Sequence, residues 1–302
     1  MKKILLLGNT GQLGWELCRT LAPMGEVFGL DYPQVDFTQP EKVRQLVVRW
    51  QPDIVVNAVA YTNVDKAESE LGLARVVNAT TPGVLAEASQ TIGALFVHFS
   101  TDYVFDGALG RPYLEEDLTR PLNAYGQTKL EGEELVLQAG GSSLIFRTSW
   151  VYSLRRSSFV TKVIEWASRN NELRIVDDQV SGPTCARMLA ETVSALIARA
   201  GHDPYEWFKD QAGLYHLAGS GYASRFDWAK EVLRLHQDGS GQNITRLTPA
   251  RSDEFPSPAC RPLFSALDCT RFTRTFGLAL PDWKMALQMA MDQNPVQWNR
   301  AG

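Results

Sequence analysis

The chain has 302 residues, 44% hydrophobic and 21% charged, the balance of a globular protein long enough to bury a sizeable core. Its 30 basic and 34 acidic residues leave a net charge of −4 with no block of one sign, so nothing points to a nucleic-acid groove or a polybasic membrane surface. The apolar run after Lys3 stops at Leu7, too short for an export signal, and no uncharged stretch is long enough to span a bilayer; the expected location is cytoplasmic.

Residues 4–7 form a continuous apolar run ending at glycine, the pattern of a buried parallel strand. A helix is predicted over 13–22 and a second strand over 27–30, closed by Asp31. Thr38-Gln-Pro-Glu41 then reads as a capping box with proline in the first turn, opening a helix to about residue 50. Residues 53–60 give a third strand, 65–92 two helical stretches, 94–100 a fourth strand, 125–138 a helix and 144–152 a fifth strand. Strands alternating with helices of this length imply βαβ units and a parallel sheet. Beyond residue 153 the pattern loosens. Helices are predicted over 159–168, 188–199, 225–236 and 281–292, strands over 173–176 and 214–218, and an ordered loop over 248–262. The expected architecture is α/β, a Rossmann-type doubly wound parallel sheet with a smaller C-terminal substrate-binding lobe. The dinucleotide-binding core takes residues 1–152; the lobe lies mainly within 153–302, interleaved with the core.

Gly8-Asn-Thr-Gly11-Gln-Leu-Gly14 joins the first strand to the first helix. Glycines there allow a tight turn and let backbone N–H groups approach a pyrophosphate at the positive end of a helix. The spacing is G-x-x-G-x-x-G, not the simpler G-x-G-x-x-G. Asp31 ends the second strand, where a carboxylate hydrogen-bonds a ribose 2′-hydroxyl and repels a 2′-phosphate. Asp36 and Phe37 are placed to flank adenine, and Asn57 with Ala60, Tyr61 and Thr62 to line the groove at the third strand's carboxyl end.

Tyr125 and Lys129 open a helix at i, i+4 and share a face. Reduction of a carbonyl needs a proton donor at the developing alkoxide, and a lysine ammonium beside tyrosine stabilises the phenolate and lowers its pKa. A second Y-x-x-x-K, Tyr205 to Lys209, lacks a strand-end partner and reads as a solvated helix face. Tyr125 has one: Thr101 follows the fourth strand and can hydrogen-bond the substrate carbonyl, while Asp102 can hold a sugar hydroxyl. Cys18, Cys185, Cys260 and Cys269 are scattered and read as free thiols, and His98, His202, His216 and His236 form no ligand-spaced cluster.

Together these residues resemble the extended short-chain dehydrogenase/reductase superfamily and, within it, the dTDP-4-dehydrorhamnose reductase family. The resemblance rests on GNTGQLGWEL at the loop, VNAVAYTNVDKAE at 56–68, FSTDYVFDG at 99–107, PLNAYGQTKLEGE at 121–133, FRTSWVY at 146–152, DDQVSGPT at 177–184, GLYHLAGSG at 213–221 and PDW at 281–283. It implies reduction of the C4 ketone of dTDP-4-dehydro-L-rhamnose by NADPH or NADH. By resemblance, Gly8, Gly11, Gln12, Leu13 and Gly14 cradle the pyrophosphate, and Asp31, Asp36, Phe37, Ala60, Tyr61 and Thr62 contact the rest of the dinucleotide. Tyr125 is the proton donor, Lys129 holds the nicotinamide ribose, and Thr101 assists. Thr101, Asp102 and Trp150 contact the deoxysugar of a dTDP-sugar, the indole walling its methyl group, and Arg261 contacts the diphosphate.

Two departures carry expectations of their own. Where some relatives bridge a dimer with a metal held by three acids, this chain has Glu16, Arg187 and Gln293, which implies no metal and a monomer or weak homodimer. Cys260-Arg261-Pro262 keeps one of two arginines common before the proline. Epimerases and dehydratases share the fold and the Tyr-Lys pair, but Tyr103 stands after Asp102 where dehydratases place a glutamate. A non-catalytic dinucleotide-binding subunit, like the regulatory β subunit of methionine adenosyltransferase, is the remaining alternative.

Overall fold

The computed structural model describes residues 1–236 and 244–292. In chain order the first half contains β1 (Lys2–Leu7), α1 (Gln12–Leu21), β2 (Gly25–Leu30), α2 (Pro40–Trp50), β3 (Ile54–Asn57), α3 (Val64–Ala67), α4 (Leu71–Arg75), α5 (Thr81–Ile92), β4 (Leu95–Thr101), α6 (Ala124–Ala139) and β5 (Ser143–Thr148). The second half adds β6 (Val151–Tyr152), α7 (Phe159–Arg169), β7 (Glu172–Val176), β8 (Val180–Ser181), β9 (Thr184–Cys185), α8 (Ala186–Ala198), α9 (Pro204–Phe208), β10 (Gly213–His216), β11 (Ala223–Ser224), α10 (Arg225–Leu235), β12 (Arg246–Ala250), α11 (Thr270–Phe276) and α12 (Trp283–Met291).

The main sheet has six parallel strands in the order β10-β5-β4-β3-β1-β2. Its β1 residues alternate between two cores. Ile4 and Leu6 pack with Leu13 and Leu17 of α1 and Leu189 and Val193 of α8. Leu5 and Leu7 face Val43 and Val47 of α2, Leu85 of α5 and Val136 of α6. Helices on both faces explain why these strands read as unbroken apolar runs. A third core, built from Tyr152, Val160, Val163, Trp228, Val232, Trp283 and Leu287, lies in the second half of the chain. Short strands of that half pair in ribbons: β6 with β9, β8 with β11, β7 with β12.

The boundaries differ from expectation where side chains intervene. β3 stops at Asn57, not residue 60, because the Asn57 side-chain oxygen accepts the Val59 N–H at 3.1 Å and turns the chain out of the ladder. β5 ends at Thr148; Trp150 adopts a left-handed φ of 41°, and pairing resumes only at Val151. Such a backbone costs a large non-glycine residue on the order of 1–2 kcal/mol, so surrounding packing holds it. The capping box at Thr38 does not form. Asp36 accepts both the Thr38 N–H at 2.9 Å and its hydroxyl at 2.6 Å, and Glu41 pairs with Arg44 at 3.3 Å. Pro40 does sit in the first turn of α2. Residues 246–250, partly read as loop, form β12; Pro249 is tolerated because a two-stranded ribbon leaves one side of each strand unpaired.

Glu133 of α6 and Arg147 of β5, both almost wholly buried, are joined side on, with Nη2 at 2.6 Å and Nε at 2.9 Å from the carboxylate. The Ser100 hydroxyl of β4 donates to the same carboxylate. Glu133→Gln leaves the buried guanidinium without a countercharge and should cost about 3 kcal/mol, read as a lower urea midpoint. A loss under about 1 kcal/mol would show that the pair does not hold the helix.

Candidate active site

The glycine loop is closely fitted. Gly8 has φ 83°, and a Cβ there would lie 2.9 Å from the Ala58 carbonyl carbon; one on Gly14 would lie 1.9 Å from the Gly8 oxygen. The loop therefore packs β1, α1 and the end of β3 at backbone distance. Inside it Asn9 Oδ1 and Gln12 Oε1 are buried with no partner, polar atoms that fit an incoming dinucleotide. Gly11 is the N-cap of α1 and brings no side-chain cap, so the helix's first N–H groups remain for an anion. The Leu13 side chain is in the core, which leaves it only a backbone contact.

Asp31 stands at the end of β2, where its carboxylate also binds its own chain: Oδ2 accepts the Thr10 N–H at 3.1 Å and the Thr10 hydroxyl at 2.5 Å, and Oδ1 the Tyr32 N–H at 2.8 Å. It braces the glycine loop. Asp36 is likewise occupied by Thr38 and by the Gln39 amide at 2.6 Å, and these bonds, the Thr38 hydroxyl first, hold its carboxyl below the usual range. Phe37 is a core residue against α2 and α5, 6% exposed, so its ring does not stand free beside a ligand. Ala60, Tyr61 and Thr62 line the end of β3. Asn78 clamps the Tyr61 backbone from both sides at 2.8 and 3.2 Å and reaches the Thr128 hydroxyl of α6 at 3.1 Å; the Tyr61 phenol donates to Glu70.

At the carboxyl end of β4, Thr101 is buried, accepts the Tyr103 N–H at 3.2 Å and stands beside the Tyr125 phenol, whose pKa it draws down. Asn123 caps α6 by accepting the Gly126 N–H at 2.8 Å, which fixes Tyr125 in the first turn. The Tyr103 ring meets Tyr125 edge-on at 5.8 Å. Lys129 lies on the same helix face, fully buried, and its ammonium nitrogen is 2.7 Å from the Phe99 carbonyl and 3.2 Å from His98 Nε2. The electrostatics depart from the expectation that lysine lowers the phenol's pKa. Burial pushes Tyr125 up, opposed by the Thr101 bond and reinforced by Asp102, while Lys129 is turned toward β4 and burial brings it down to about 8.

Asp102 is not an open contact either. Its carboxylate accepts hydroxyls from Thr101 at 3.2 Å, Ser181 at 3.0 Å and Ser265 at 2.5 Å, drawing two segments of the C-terminal half onto β4. Trp150 stacks on Trp228 at 5.6 Å, and the Arg225 guanidinium lies 3.7 Å over its ring. Arg261 is held by Asp65 at 2.9 Å and Ser257 at 2.5 Å, close enough to Tyr103 to act on its phenol. Thr101, Asp102, Tyr125, Lys129, Trp150 and Arg261 are thus drawn toward one end of the sheet.

The family described as RmlD substrate binding domain matches residues 1–295. The chain belongs to that family. It is 41% identical over 295 residues to an Escherichia coli K12 protein named dTDP-4-dehydrorhamnose reductase, covering 96% of this chain and 97% of that one. A crystal structure of a dTDP-4-dehydrorhamnose reductase from Clostridium acetobutylicum superposes with a TM-score of 0.87 at 36% identity, covering 96% of this chain and 98% of the other. A Bacillus anthracis dTDP-4-dehydrorhamnose reductase in complex with NADP gives 0.86 at 32% identity, with 95% and 98% covered.

In this RmlD-family chain, Arg187 pairs with Glu191 at 3.0 Å and buried Glu16 has Arg19 at 3.9 Å; Gln293 lies outside the described residues. In the Tyr205-Lys209 segment Tyr205 is half-buried and Phe208 packs in the core, while Lys209 is exposed and bound to Glu206 at 3.1 Å. No described helix is long and apolar enough to cross a membrane. Sequence reasoning missed Asn78, His98, Arg225, Ser181 and Ser265. Only His98 carried a local signal, a lone ionisable residue within an otherwise apolar strand.

Burial raises the Asp102 carboxyl to about 6, above its unfolded value, against the opposing pull of Ser265, Ser181 and Thr101. The folded chain then holds the proton more tightly, so between about pH 4 and 6 stability falls as pH rises. Asp102→Asn should therefore stabilise the protein at pH 8 by on the order of 2 kcal/mol and do little at pH 4. Melting temperatures at the two pH values check this; an equal shift at both would contradict it.

Proposed function

We propose that this chain reduces the C4 ketone of dTDP-4-dehydro-L-rhamnose to dTDP-L-rhamnose, with NADPH or NADH as reductant. Support comes from relatives that bear this name at about 40% identity over nearly the whole chain. The observation that carries the chemistry is the placing of Tyr125 beside Thr101 at the strand end, its ring braced edge-on by Tyr103 at 5.8 Å, with Lys129 one turn below. When bound, the dinucleotide would supply the hydride for C4. Gly8, Gly11, Gln12, Leu13 and Gly14 would hold its pyrophosphate, largely by backbone groups, with Ala60, Tyr61 and Thr62 beside it.

Tyr125 gives its proton to O4 as the alkoxide forms. A phenol held above its usual pKa is protonated at neutral pH, the state that donation requires. Thr101, beside the phenol, steadies the carbonyl oxygen, and Lys129 supports return of the proton to the phenolate. Trp150 offers the deoxysugar methyl group an apolar wall, Asp102 stands behind Thr101, and Arg261 is the cation for the diphosphate.

The reaction is read as loss of nicotinamide absorbance on addition of the dTDP-linked 4-keto-6-deoxy-L-sugar. No oxidation of either NADPH or NADH would refute the reading. Tyr125→Phe should lower kcat by at least about 100-fold while dinucleotide Kd stays within about threefold. A variant that retains most of its rate would remove Tyr125 as the proton donor.

A further inference from the structure

A chain of hydrogen bonds runs from the end of β3 to Lys129, and its direction is fixed at the far end. The Val59 backbone N–H, which can only donate, points to Asn57 Oδ1 at 3.1 Å. That orients the amide, so Asn57 Nδ2 is the atom 3.1 Å from His98 Nδ1. An amide NH2 is a donor, so Nδ1 must accept and the proton of a neutral imidazole sits on Nε2. Nε2 lies 3.2 Å from Lys129 Nζ, which also donates to the Phe99 carbonyl at 2.7 Å. Only an uncharged amine has the lone pair to receive Nε2–H. A charged ammonium needs the opposite tautomer, and that tautomer turns an N–H of His98 against the N–H of Asn57.

We propose that His98 is a positioning residue for Lys129: held as an acceptor by Asn57, it presents Nε2–H to the amine and selects the uncharged lysine. Asn57, His98 and Lys129 are all buried. The surroundings agree. Among the described residues His98 bonds Asn57 and Lys129 and stacks on the ring of Phe96 at 6.0 Å, and burial drives its own pKa far down, so it remains neutral. Lys129 faces Tyr125 on its own helix face and Glu133 one turn on, whose charge is already shared by Arg147 of β5 and Ser100 of β4. Glu133 favours the ammonium, burial opposes it, and the balance leaves Lys129 near 8. Val59 also lies within 3.0 Å of where a Cβ on Gly8 would stand, so the chain begins against the phosphate loop.

The inference borrows from the proposed function only the place of Lys129 in the site, and its test does not need turnover. In 15N-histidine protein at about pH 9, long-range 15N–1H spectra should show His98 protonated on Nε2; protonation on Nδ1 would overturn the proposal. The Lys129 13Cε resonance should titrate near 8 in the wild type and at least about one unit higher in His98→Phe, which lacks both ring nitrogens. An unchanged midpoint would also overturn it. If the variant does not fold, the wild-type tautomer decides alone. Should turnover be observed, the alkaline limb of kcat/KM should move upward with the same substitution. Absence of wild-type turnover bears on the reductase reading and leaves the spectra to judge this one.

Discussion

The site depends on how closely α6 is drawn onto β4 and β5. The Glu133–Arg147 pair, with Ser100 on the same carboxylate, fastens the middle of the helix to both strands. Two charges out of water carry a desolvation penalty of several kcal/mol each, so the pair is worth more as a fixed geometry than as net stability. Glycines make the approach possible. A Cβ on Gly126 would lie 2.2 Å from the Tyr103 oxygen, and one on Gly132 2.1 Å from the Asn78 oxygen. With larger residues at either position the helix would ride outward, and Tyr125 would leave Thr101.

A second fastening works across the two halves of the chain. Asp102, reached from Ser181 and Ser265, converts the strand end into an anchor for two segments of the second half of the chain. Three hydroxyls around one carboxylate compensate burial only in part, and its raised pKa records the shortfall. Trp150 repeats the pattern by other means. Its left-handed backbone breaks β5 from β6, and Trp228 and Arg225 hold the indole in place by stacking. Strain at the sheet's ligand end is thus supported by packing from residues some eighty positions later.

The sheet was legible because its strands are buried on both faces, so continuous apolar runs bounded by glycine or acid left little ambiguity; Ile4 to Leu7 is the clearest case. The helix that carries Tyr125 and Lys129 was legible, and their i, i+4 spacing put both on one face. Less legible was which neighbours a polar side chain engages. Asp31 and Asp36 stand at the expected strand end and loop, yet their carboxylates serve the backbone and neighbouring hydroxyls, because short acidic side chains satisfy nearby N–H groups first. Phe37 went inward for the opposite reason, since an apolar ring beside α2 and α5 gains more from burial than from a surface loop. Arg225 and Ser265 were beyond reach: they meet the site only through the fold's long-range return, and no local pattern marks them.

His98 shows the same limit more narrowly. The strand that contains it has its outward residues buried under α6, so an imidazole there has to find partners on both nitrogens or leave one unsatisfied. Asn57 and Lys129 are those partners, and Asn57 is available only because β3 ends there. The early end of β3 therefore does two things at once. It turns the chain toward the glycine loop, forming one wall of the groove, and it aims an amide whose orientation a backbone N–H dictates. A strand continued to residue 60 would have spent that N–H in the ladder, and neither the direction of the hydrogen-bond chain nor the state of the lysine at its other end would be set.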